Sequence, residues 1–265
     1  MLKLKKSLGQ NFLVDKNVIN KIINLVSLKN EAVLEIGPGT GNLTKFISSK
    51  KPKSLLLIEK DKRFFSILKD NYGSMKNCEV LNADILDYNL NNQKNQNLIV
   101  FGNLPYNVST QILAKFIKSD SWPPFYKNII FMFQNEVAER ILAKPKTKKF
   151  GRLSILANLK LEVVEHFMIS KKCFFPIPKI DSRIIVFKPK KSIGFKISKI
   201  ENLEKITHAF FSNKRKMINK TFVRLFKNHV YIANKLGIDL HSRPSEISSE
   251  NYYRITEFYE KSKKI

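Results

Sequence analysis

The stretch from Ala32 to Ser48 constrains the fold more than any other part of this 265-residue chain. Residues 32–36 read Ala-Val-Leu-Glu-Ile, an apolar run that predicts a buried strand of a parallel sheet. Gly-Pro-Gly-Thr-Gly follows at once, and Asn42 to Ser48 then predicts a helix. Glycines between a strand and a helix permit a tight turn and let the backbone approach a ligand at the helix N-terminus. This arrangement is typical of an α/β fold with a mostly parallel central sheet.

Acidic side chains follow the next two predicted strands. The strand Ser54 to Ile58 leads to Glu59, about 20 residues past the glycines, where an acidic residue can bind ribose hydroxyls. The strand at 79–81 leads to Asp84, which can accept a hydrogen bond from an adenine amino group. The glycines are spaced G-x-G-x-G, unlike the dinucleotide fingerprint, and their loop has no phosphate-binding lysine. The set favours a nucleoside without phosphates, and in this order S-adenosylmethionine. Either acidic residue taken alone could be a helix cap.

A polar and aromatic cluster follows the apolar run 98–101, which predicts another buried strand. Asn103 offers a side-chain carbonyl to an exocyclic amine, and Pro105 stiffens the turn and leaves the Leu104 carbonyl free to accept a second hydrogen bond. Tyr106 offers a flat face on which a base can stack. These residues predict a pocket for the amino group of a nucleobase. The alternative is a plain strand-to-helix turn with Pro105 at the first helical position and Tyr106 in the core.

The charge balance indicates what kind of partner the chain meets. Lysine and arginine number 48 against 22 acidic residues, a formal net charge of +26. This excess predicts a polyanionic partner, with nucleic acid favoured over an anionic membrane or a solvated lysine-rich surface without a partner. No apolar run approaches the ~20 residues that span a bilayer, and the basic start lacks an apolar signal-peptide core. The expected location is the cytoplasm.

Cysteine and histidine spacing gives no sign of a metal site. The two cysteines, Cys78 and Cys173, lie far apart, which predicts reduced thiols. The four histidines show no metal-binding spacing with cysteine or with one another. No metal cofactor is therefore expected.

The remaining segments suggest two domains. The N-terminal arm places Gln10 and Asn11 before a predicted helix from Asp15 to Ser27, with Asp15 as N-cap. This arm is either a plain lead-in or a segment whose amides close over a polar ligand. Further strands are predicted at 128–133, 161–168 and 183–188, and prolines in 174–182 predict an irregular loop. The pattern beyond about residue 190 is helical, beginning at Ile200 to Phe211, which predicts domains at 1–190 and 191–265.

Four motifs together resemble one family. They are Ser7-Leu8-Gly9-Gln10-Asn11-Phe12-Leu13, Leu34-Glu35-Ile36-Gly37-Pro38-Gly39-Thr40-Gly41, Asn103-Leu104-Pro105-Tyr106 and Phe174-Phe175-Pro176-Ile177-Pro178-Lys179-Ile180-Asp181-Ser182. The set is similar to the ribosomal RNA adenine N6-dimethyltransferases, and most of all to the bacterial type that modifies small-subunit 16S rRNA. The resemblance covers nearly the whole chain. It implies a Rossmann-like class I methyltransferase domain with a seven-stranded, mostly parallel sheet, followed by a small all-helical RNA-binding domain.

The resemblance also implies an activity and its residues. Two adjacent adenosines in the 3′-terminal hairpin loop of 16S rRNA would each receive two methyl groups from S-adenosylmethionine. The partner would be 16S rRNA within the immature 30S subunit, bound by a monomer. The implied catalytic positions are Asn103, Leu104, Pro105 and Tyr106, with a second stacking aromatic at Phe174. The implied cofactor-binding positions are Asn11, Leu13, Gly37, Gly39, Glu59, Asp84, Ile85 and Asn103.

A basic stretch at 212–220 is a candidate RNA-binding segment. Its charged residues are Lys214, Arg215, Lys216 and Lys220, which could contact phosphates. The alternative is a solvated helix face, since runs of charge are common. The family usually carries an arginine-rich segment here, and lysine lacks the bidentate fork of arginine. The individual contacts therefore remain open.

Three other functions compete with this interpretation. The nearest is a large-subunit rRNA adenine dimethyltransferase, although the C-terminal region and residues 174–182 favour the small-subunit type. DNA adenine methyltransferases usually begin the catalytic motif with aspartate, where this chain has Asn103. The protein could also act mainly as a non-catalytic assembly factor for the small subunit, which the basic surface permits.

Overall fold

The computed structural model describes residues 11–90, 97–119 and 122–262 of the chain. The chain divides into two compact units: residues up to Ala138 with Val163–Pro189, and Glu139–Glu162 with the residues from Lys190 onward. The first unit ends at Pro189, beside the predicted boundary, but the predicted first domain also contained Glu139–Glu162. These residues belong to the second unit because Phe150, Ile155 and Leu159 are buried in the helical core. A contact between segments so far apart in the chain leaves no mark in local sequence.

The helices and strands alternate through most of the chain and are numbered here in chain order. The strands are β1 (Phe12–Leu13), β2 (Ala32–Ile36), β3 (Ser54–Glu59), β4 (Cys78–Asn82), β5 (Leu98–Asn103), β6 (Tyr126–Gln134), β7 (Leu161–Ile169), β8 (Phe174–Phe175) and β9 (Ser182–Pro189). The helices are α1 (Lys16–Ile23), α2 (Asn42–Ser49), α3 (Lys62–Tyr72), α4 (Ser109–Ile117), α5 (Asn135–Leu142), α6 (Arg152–Lys160), α7 (Ile200–Phe211), α8 (Asn219–Leu225), α9 (His229–Leu236) and α10 (Ser249–Ser262).

A seven-stranded sheet has the order β4-β3-β2-β5-β6-β9-β7. The pairs β2/β3, β3/β4, β2/β5 and β5/β6 are parallel, and β9 is antiparallel to β6. This confirms the predicted mostly parallel sheet, and every strand predicted for it is present. The chain builds outward from β2 to β4 and then returns to place β5 beside β2. Such a reversal opens a ligand crevice at the carboxyl ends of the two strands.

A second, two-stranded sheet joins the two ends of the first unit. β1 pairs antiparallel with β8, so that Phe12 lies opposite Phe175 and Leu13 lies opposite Phe174. The prediction of an irregular loop throughout 174–182 was therefore wrong at its first two residues. The prolines at 176 and 178 come after the paired residues, so they do not remove the hydrogen bonds that form this short ladder.

Helix α1 begins as predicted and ends early. The Asp15 carboxylate accepts hydrogen bonds from the backbone N–H groups of Asn17 and Val18, which confirms it as the N-cap. Ile19, Ile22 and Ile23 are buried and attach the helix to the core. The helix ends at Ile23, four residues before the predicted Ser27, and the Asn24 N–H bonds back to the Asn20 carbonyl. Val26 and Ser27 have low helix propensity, which is consistent with this earlier end.

The second unit buries an aromatic core of its own. The Phe210 ring lies 5.5 Å from the rings of both Phe222 and Tyr252, in edge-on geometry. The buried Tyr252 hydroxyl donates to the Pro244 carbonyl at 2.7 Å, so the turn at Pro244–Glu246 packs against α10. Across the described ranges, the structure contains no helix of the length and apolarity that a membrane crossing requires.

Candidate active site

A cleft opens at the carboxyl ends of β2, β3 and β5, within the first unit. All the residues that the sequence assigned to the cofactor or the base line it, except Phe174. They come from five separate places in the chain, and those at or just after the ends of β2, β3, β4 and β5 meet because parallel strands end at the same edge of a sheet. The residues in question are Asn11, Leu13, Gly37, Gly39, Glu59, Asp84, Ile85, Asn103, Leu104, Pro105 and Tyr106.

The glycine loop after β2 forms one wall of the cleft. Gly37, Gly39 and Gly41 have φ angles of +64°, +56° and +81°, in the left-handed region that disfavours side chains. A Cβ atom on Gly39 would lie 2.6 Å from a ring carbon of Phe12. The loop therefore brings bare backbone against β1, and helix α2 begins directly after it. An exposed backbone with no lysine suits an uncharged part of a ligand better than a phosphate.

Glu59 anchors this loop from the end of β3. Its carboxylate accepts hydrogen bonds from the N–H of Gly39 at 2.9 Å and from the N–H of Asp61 at 2.8 Å. The side chain is buried, and burial raises the pKa of Glu59, although these hydrogen bonds oppose the shift. Each carboxylate oxygen keeps a lone pair for a further donor. The residue thus fits the predicted role of accepting hydrogen bonds from ribose hydroxyls.

A second buried carboxyl group, that of Glu35, lies at the cleft and was not predicted as a site residue. Thr44 donates its hydroxyl to Glu35 at 2.7 Å, which ties β2 to α2. Burial raises the pKa of Glu35 to about 8, against the hydrogen bond from Thr44 and with a further contribution from the charge of Glu59. The position of Glu35 at the cleft could not be predicted, because a glutamate in a short apolar strand can face either side of the sheet.

Asp84 lines the cleft but is already engaged. Its carboxylate forms an ion pair with the Lys60 ammonium at 2.6 Å and accepts the N–H of Leu86 at 2.9 Å. Partial burial by itself raises the pKa of Asp84, but the hydrogen bonds from Lys60 and Leu86 outweigh it and the net shift is downward. The carboxylate is therefore anionic at neutral pH. Lys60, which sequence reasoning missed, orients the group that was predicted to face adenine.

Asn103 is oriented by the N-terminal arm. Its side-chain Nδ2 donates to the Asn11 carbonyl at 3.0 Å, across 92 residues of sequence. Within the described part of the chain, no residue donates to the remaining amide atom, Oδ1. The bond to Asn11 therefore leaves the acceptor end of the amide available for a ligand. The other amide of the predicted pair, Gln10, lies outside the described residues.

The rest of the catalytic turn is held in place. The Leu104 side chain is buried. In the turns and loops of the described residues, no backbone N–H donates to the Leu104 carbonyl. The Tyr106 hydroxyl lies 2.9 Å from the hydroxyl of Ser182, the first residue of β9. This bond fixes the edge of the Tyr106 ring and keeps its face for the cleft. Burial raises the pKa of Tyr106, so the phenol stays protonated at neutral pH.

Phe174, the predicted second stacking aromatic, is buried and does not line the cleft in this structure. Its side chain is only 2% exposed and belongs to the hydrophobic core of the first unit, whereas the next residue, Phe175, is 57% exposed. Pairing with β1 decides this, because successive residues of a strand face opposite sides. The stacking role of Phe174 stays a prediction.

Two further cleft residues were missed because their roles depend on tertiary contacts. Phe12 packs edge-on against Phe64 at 5.3 Å and lies against Gly39. Asn42, the first residue of α2, donates its side-chain amide to the Leu13 carbonyl at 2.9 Å. The partner is 29 residues away, so nothing local to Asn42 could have predicted the bond.

The basic segment at 212–220 contains three exposed basic side chains and one lysine that is bonded within its own unit. Arg215, Lys216 and Lys220 are exposed. The Lys214 ammonium instead donates to the carbonyls of Lys148 and Phe150, at 2.6 and 2.9 Å. Burial and then the charge of Arg140 lower the pKa of Lys214. Lys214 is thus positioned to hold a loop of its own unit, which was not predicted.

The titratable side chains do not form a metal-binding cluster within the described residues. In residues 11–90, 97–119 and 122–262, no group of three or more His, Cys, Asp and Glu side chains is arranged to hold a metal ion.

Comparisons with known sequences give one consistent family. A model described as "Ribosomal RNA adenine dimethylase" matches residues 1–261. The ribosomal RNA small subunit methyltransferase A of Pelagibacter ubique (strain HTCC1062) is 44% identical over 259 residues, covering 98% of each chain. The protein of the same name from Mycoplasmopsis synoviae (strain 53) is 40% identical and covers 92% of each chain.

Comparisons with solved structures agree with this fold. A dimethyladenosine transferase from Plasmodium falciparum superposes with a TM-score of 0.75 at 25% identity, covering 95% of this chain and 98% of that one. The 23S rRNA methyltransferase ErmE gives a TM-score of 0.68 at 22% identity, over 94% and 99% of the two chains, which is a likeness of fold. Because the family model spans nearly the whole chain and the glycine loop, Glu59 and the Asn103 turn meet in one cleft, the chain belongs to the ribosomal RNA adenine dimethylases, a family of S-adenosylmethionine-dependent methyltransferases.

Proposed function

We propose that this enzyme dimethylates N6 of two adjacent adenosines in the 3′-terminal hairpin loop of small-subunit 16S rRNA. The relatives at 44% and 40% identity carry the small-subunit name and match over nearly their full length, which supports this target. The observation that carries the chemistry is the oriented amide of Asn103, whose acceptor oxygen is left for a donor in the cleft. Exocyclic N6 of adenine is such a donor.

The wall formed by the glycine loop and Glu59 would hold the cofactor. S-adenosylmethionine, when bound, supplies a methyl group already activated by its positively charged sulfonium. The Glu59 carboxylate accepts hydrogen bonds from the ribose hydroxyls, and the backbone at Gly37 and Gly39 approaches the cofactor closely. Asp84, held by Lys60, accepts from the adenine amino group, and Ile85 packs against the base. Asn11 and Leu13 close the cleft from the arm.

The catalytic turn prepares the target nitrogen. In adenine the N6 lone pair is delocalised into the ring, which makes it a poor nucleophile. Asn103 Oδ1 and the Leu104 carbonyl both accept hydrogen bonds from N6, which draws the nitrogen towards a tetrahedral form and directs its lone pair at the methyl group. This is positioning together with preorganised electrostatics. Tyr106 stacks on the extruded base, and Pro105 keeps the turn rigid.

No strong general base is needed for either transfer. The N6 proton becomes acidic only after the new N–C bond has formed, so it can leave to solvent. After one methylation N6 keeps one hydrogen, which one of the two acceptors in the turn can still bind. The same pocket therefore admits the monomethyl product for a second transfer.

The partner and setting follow from the same proposal. The enzyme acts as a monomer on 16S rRNA within the immature 30S subunit, in the cytoplasm. The exposed Arg215, Lys216 and Lys220 contact phosphates through the helical unit, and the net charge of +26 supports a polyanionic partner. Lys214 contributes to that unit by holding the loop at 148–150.

The target is tested by methyl transfer from labelled S-adenosylmethionine to unmethylated small subunits, with large subunits and DNA as parallel substrates. Digestion to nucleosides should yield N6,N6-dimethyladenosine from the small subunit alone. Product from large-subunit RNA would assign the enzyme to the other rRNA target. Tight binding to small subunits without product would favour a mainly non-catalytic assembly factor.

The chemistry is tested by Asn103→Ala, which removes the acceptor. We expect the methylation rate to fall about a hundredfold or more, with a smaller loss of cofactor affinity from the broken bond to Asn11. Asn77→Ala is the matched control, because Asn77 also donates its amide to a backbone carbonyl at 2.9 Å but lies outside the cleft. Near wild-type turnover of Asn103→Ala would remove the basis of this mechanism.

A further inference from the structure

Three large apolar side chains are exposed within the six residues from the end of β8 to Ile180. Phe175, Ile177 and Ile180 are 57%, 63% and 39% exposed, and we name them the apolar lip. Single exposed apolar residues are common on protein surfaces, but a cluster on one short segment marks an interaction site. The methyltransferase chemistry derived above uses none of the three.

The apolar lip is held at both ends. Phe175 is part of β8 and pairs with β1. The Lys171 N–H donates to the Asp181 carboxylate at 2.9 Å, which closes the segment on itself. Ser182, directly after it, is bonded to the Tyr106 hydroxyl. The exposure of these side chains is therefore part of a built conformation.

The same contacts place the apolar lip beside the active site. Phe175 lies opposite Phe12 in an antiparallel pair, and directly opposite residues project to the same side of the ribbon. Phe12 lines the cofactor cleft. At its other end the segment meets Tyr106, the residue proposed to stack on the target base. The apolar lip therefore lies next to two segments that line the cleft, at Phe12 and at Tyr106.

Charge around the apolar lip favours one kind of occupant. Lys171 and Lys172, just before β8, and Lys179, between Ile177 and Ile180, are exposed. Aromatic and apolar groups interleaved with lysines are typical of surfaces that bind single-stranded nucleic acid, where bases stack and phosphates are neutralised. Two copies of such a surface would instead bring their lysines together, in a chain that already carries a net charge of +26.

We propose that the apolar lip binds the unpaired nucleotide next to the target adenosine, with its base stacked on Phe175. Ile177 and Ile180 contact the sugar and base edge, and the three lysines contact the adjoining phosphates. The inference rests on the proposed RNA target and names the surface that holds the target strand when the adenosine enters the cleft. Phe175 is a positioning residue, since it acts on the neighbour of the reacting base.

Substitutions at Phe175 test the stacking, because the exposed side chain can be replaced without opening the core. Phe175→Ala should raise the KM for RNA by about 5- to 150-fold, the range expected for loss of one stacked base. Turnover at saturating RNA and affinity for S-adenosylhomocysteine should stay within about twofold. Phe175→Tyr should restore the KM, and Phe175→Leu, which keeps apolar area without an aromatic face, should not.

Val164→Ala is the control, because Val164 is 50% exposed on the edge strand β7 of the same unit. It should leave the KM unchanged. An RNA hairpin with 2-aminopurine beside the target adenosine gives a direct reading, since stacking quenches its fluorescence. Wild-type enzyme and Phe175→Tyr should quench it, and Phe175→Ala should not.

The outcomes separate this inference from the proposed function. If wild-type enzyme methylates the RNA and all Phe175 variants share its KM and its quenching, the apolar lip does not bind the strand. If wild-type enzyme methylates no RNA, the proposed target fails, and the quenching experiment still tests the lip alone. Loss of self-association in Phe175→Ala by analytical ultracentrifugation, with unchanged RNA binding, would assign the surface to a second copy of the chain and overturn the proposal.

Discussion

Replacing Gly39 by alanine tests how the glycine loop is built. The residue has a φ of +56°, so any side chain there costs about 1–2 kcal/mol of backbone strain. The new Cβ would also lie 2.6 Å from a Phe12 ring carbon, against about 3.5–4 Å for a normal contact. The Phe12 side chain must therefore leave its preferred rotamer, which costs about 0.5–1.5 kcal/mol. It must also give up its edge-on contact with Phe64, which costs about 0.5–1.5 kcal/mol more.

These contributions predict that Gly39→Ala destabilises the protein by about 2–5 kcal/mol. Gly37→Ala is the matched control for the loop, because Gly37 has a φ of +64° but nothing lies within 4 Å of its added Cβ. The free energy of unfolding of Gly37→Ala should fall only by the cost of the backbone strain, about 1–2 kcal/mol. Denaturant unfolding of the cofactor-free protein measures both values, so the difference between the two variants isolates the overlap with Phe12.

A second substitution checks the assigned cause. Phe12→Leu in the Gly39→Ala background shortens the side chain that the Cβ meets and should recover part of the lost stability. Calorimetric titration with S-adenosylhomocysteine should show weaker binding in Gly39→Ala, since the displaced ring lines the cleft. Equal stability of the Gly39→Ala and Gly37→Ala proteins would refute the argument from Phe12.

Two more predictions follow from titratable side chains that are buried or partly buried. Because the pKa of Glu35 is raised to about 8, the folded protein keeps a proton that the unfolded chain releases above its ordinary value of 4.5. This group's contribution to stability is thus present at low pH and falls by up to about 1.4 kcal/mol per pH unit until pH 8. Glu35→Gln should flatten that fall, as measured by urea unfolding between pH 5 and 8. Lys214→Ala should destabilise the helical unit by about 1–3 kcal/mol, because two carbonyls lose their donor. Lys216→Ala should change stability by less than about 0.5 kcal/mol but reduce the salt dependence of RNA binding.

Controls for both predictions are available in the chain. For Glu35, the quantity compared is the difference between wild type and variant at each pH, which cancels the other titrating groups; a difference independent of pH would contradict the raised pKa. For the lysines, a Lys214→Ala protein that keeps its stability but loses the salt dependence would show that Lys214 faces RNA.

Much of the cofactor cleft could be predicted because its chemistry follows strand ends. Gly37, Gly39, Glu59, Asp84 and Asn103 each come at or just after the end of a recognisable apolar strand. Parallel strands joined by helices deliver those ends to one edge, so order along the chain becomes proximity in space. Local sequence therefore predicts that these five residues meet in one cleft.

Other features depended on contacts that join distant segments. Residues 139–162 pack with the helical unit because their apolar side chains complete its core, whereas the rest of strand β7, from Val163 onward, belongs to the first unit. Lys214 looked like its basic neighbours, but its ammonium finds two carbonyls more than 60 residues earlier in the chain. Charge runs predict solvation or a partner, and they carry no information about such internal acceptors.

The sequence by itself determined the α/β class, the mostly parallel sheet and the cleft residues Gly37, Gly39, Glu59, Asp84 and Asn103, because these depend on local periodicity and on the chemistry that follows each strand. Only the tertiary structure decided which atoms face the ligand. The pairing of β1 with β8 turned Phe174 inward and Phe175 outward, and the Asn11 carbonyl bound one end of the Asn103 amide and left the other. Both results come from hydrogen bonds between segments separated by many residues, which a linear pattern does not record.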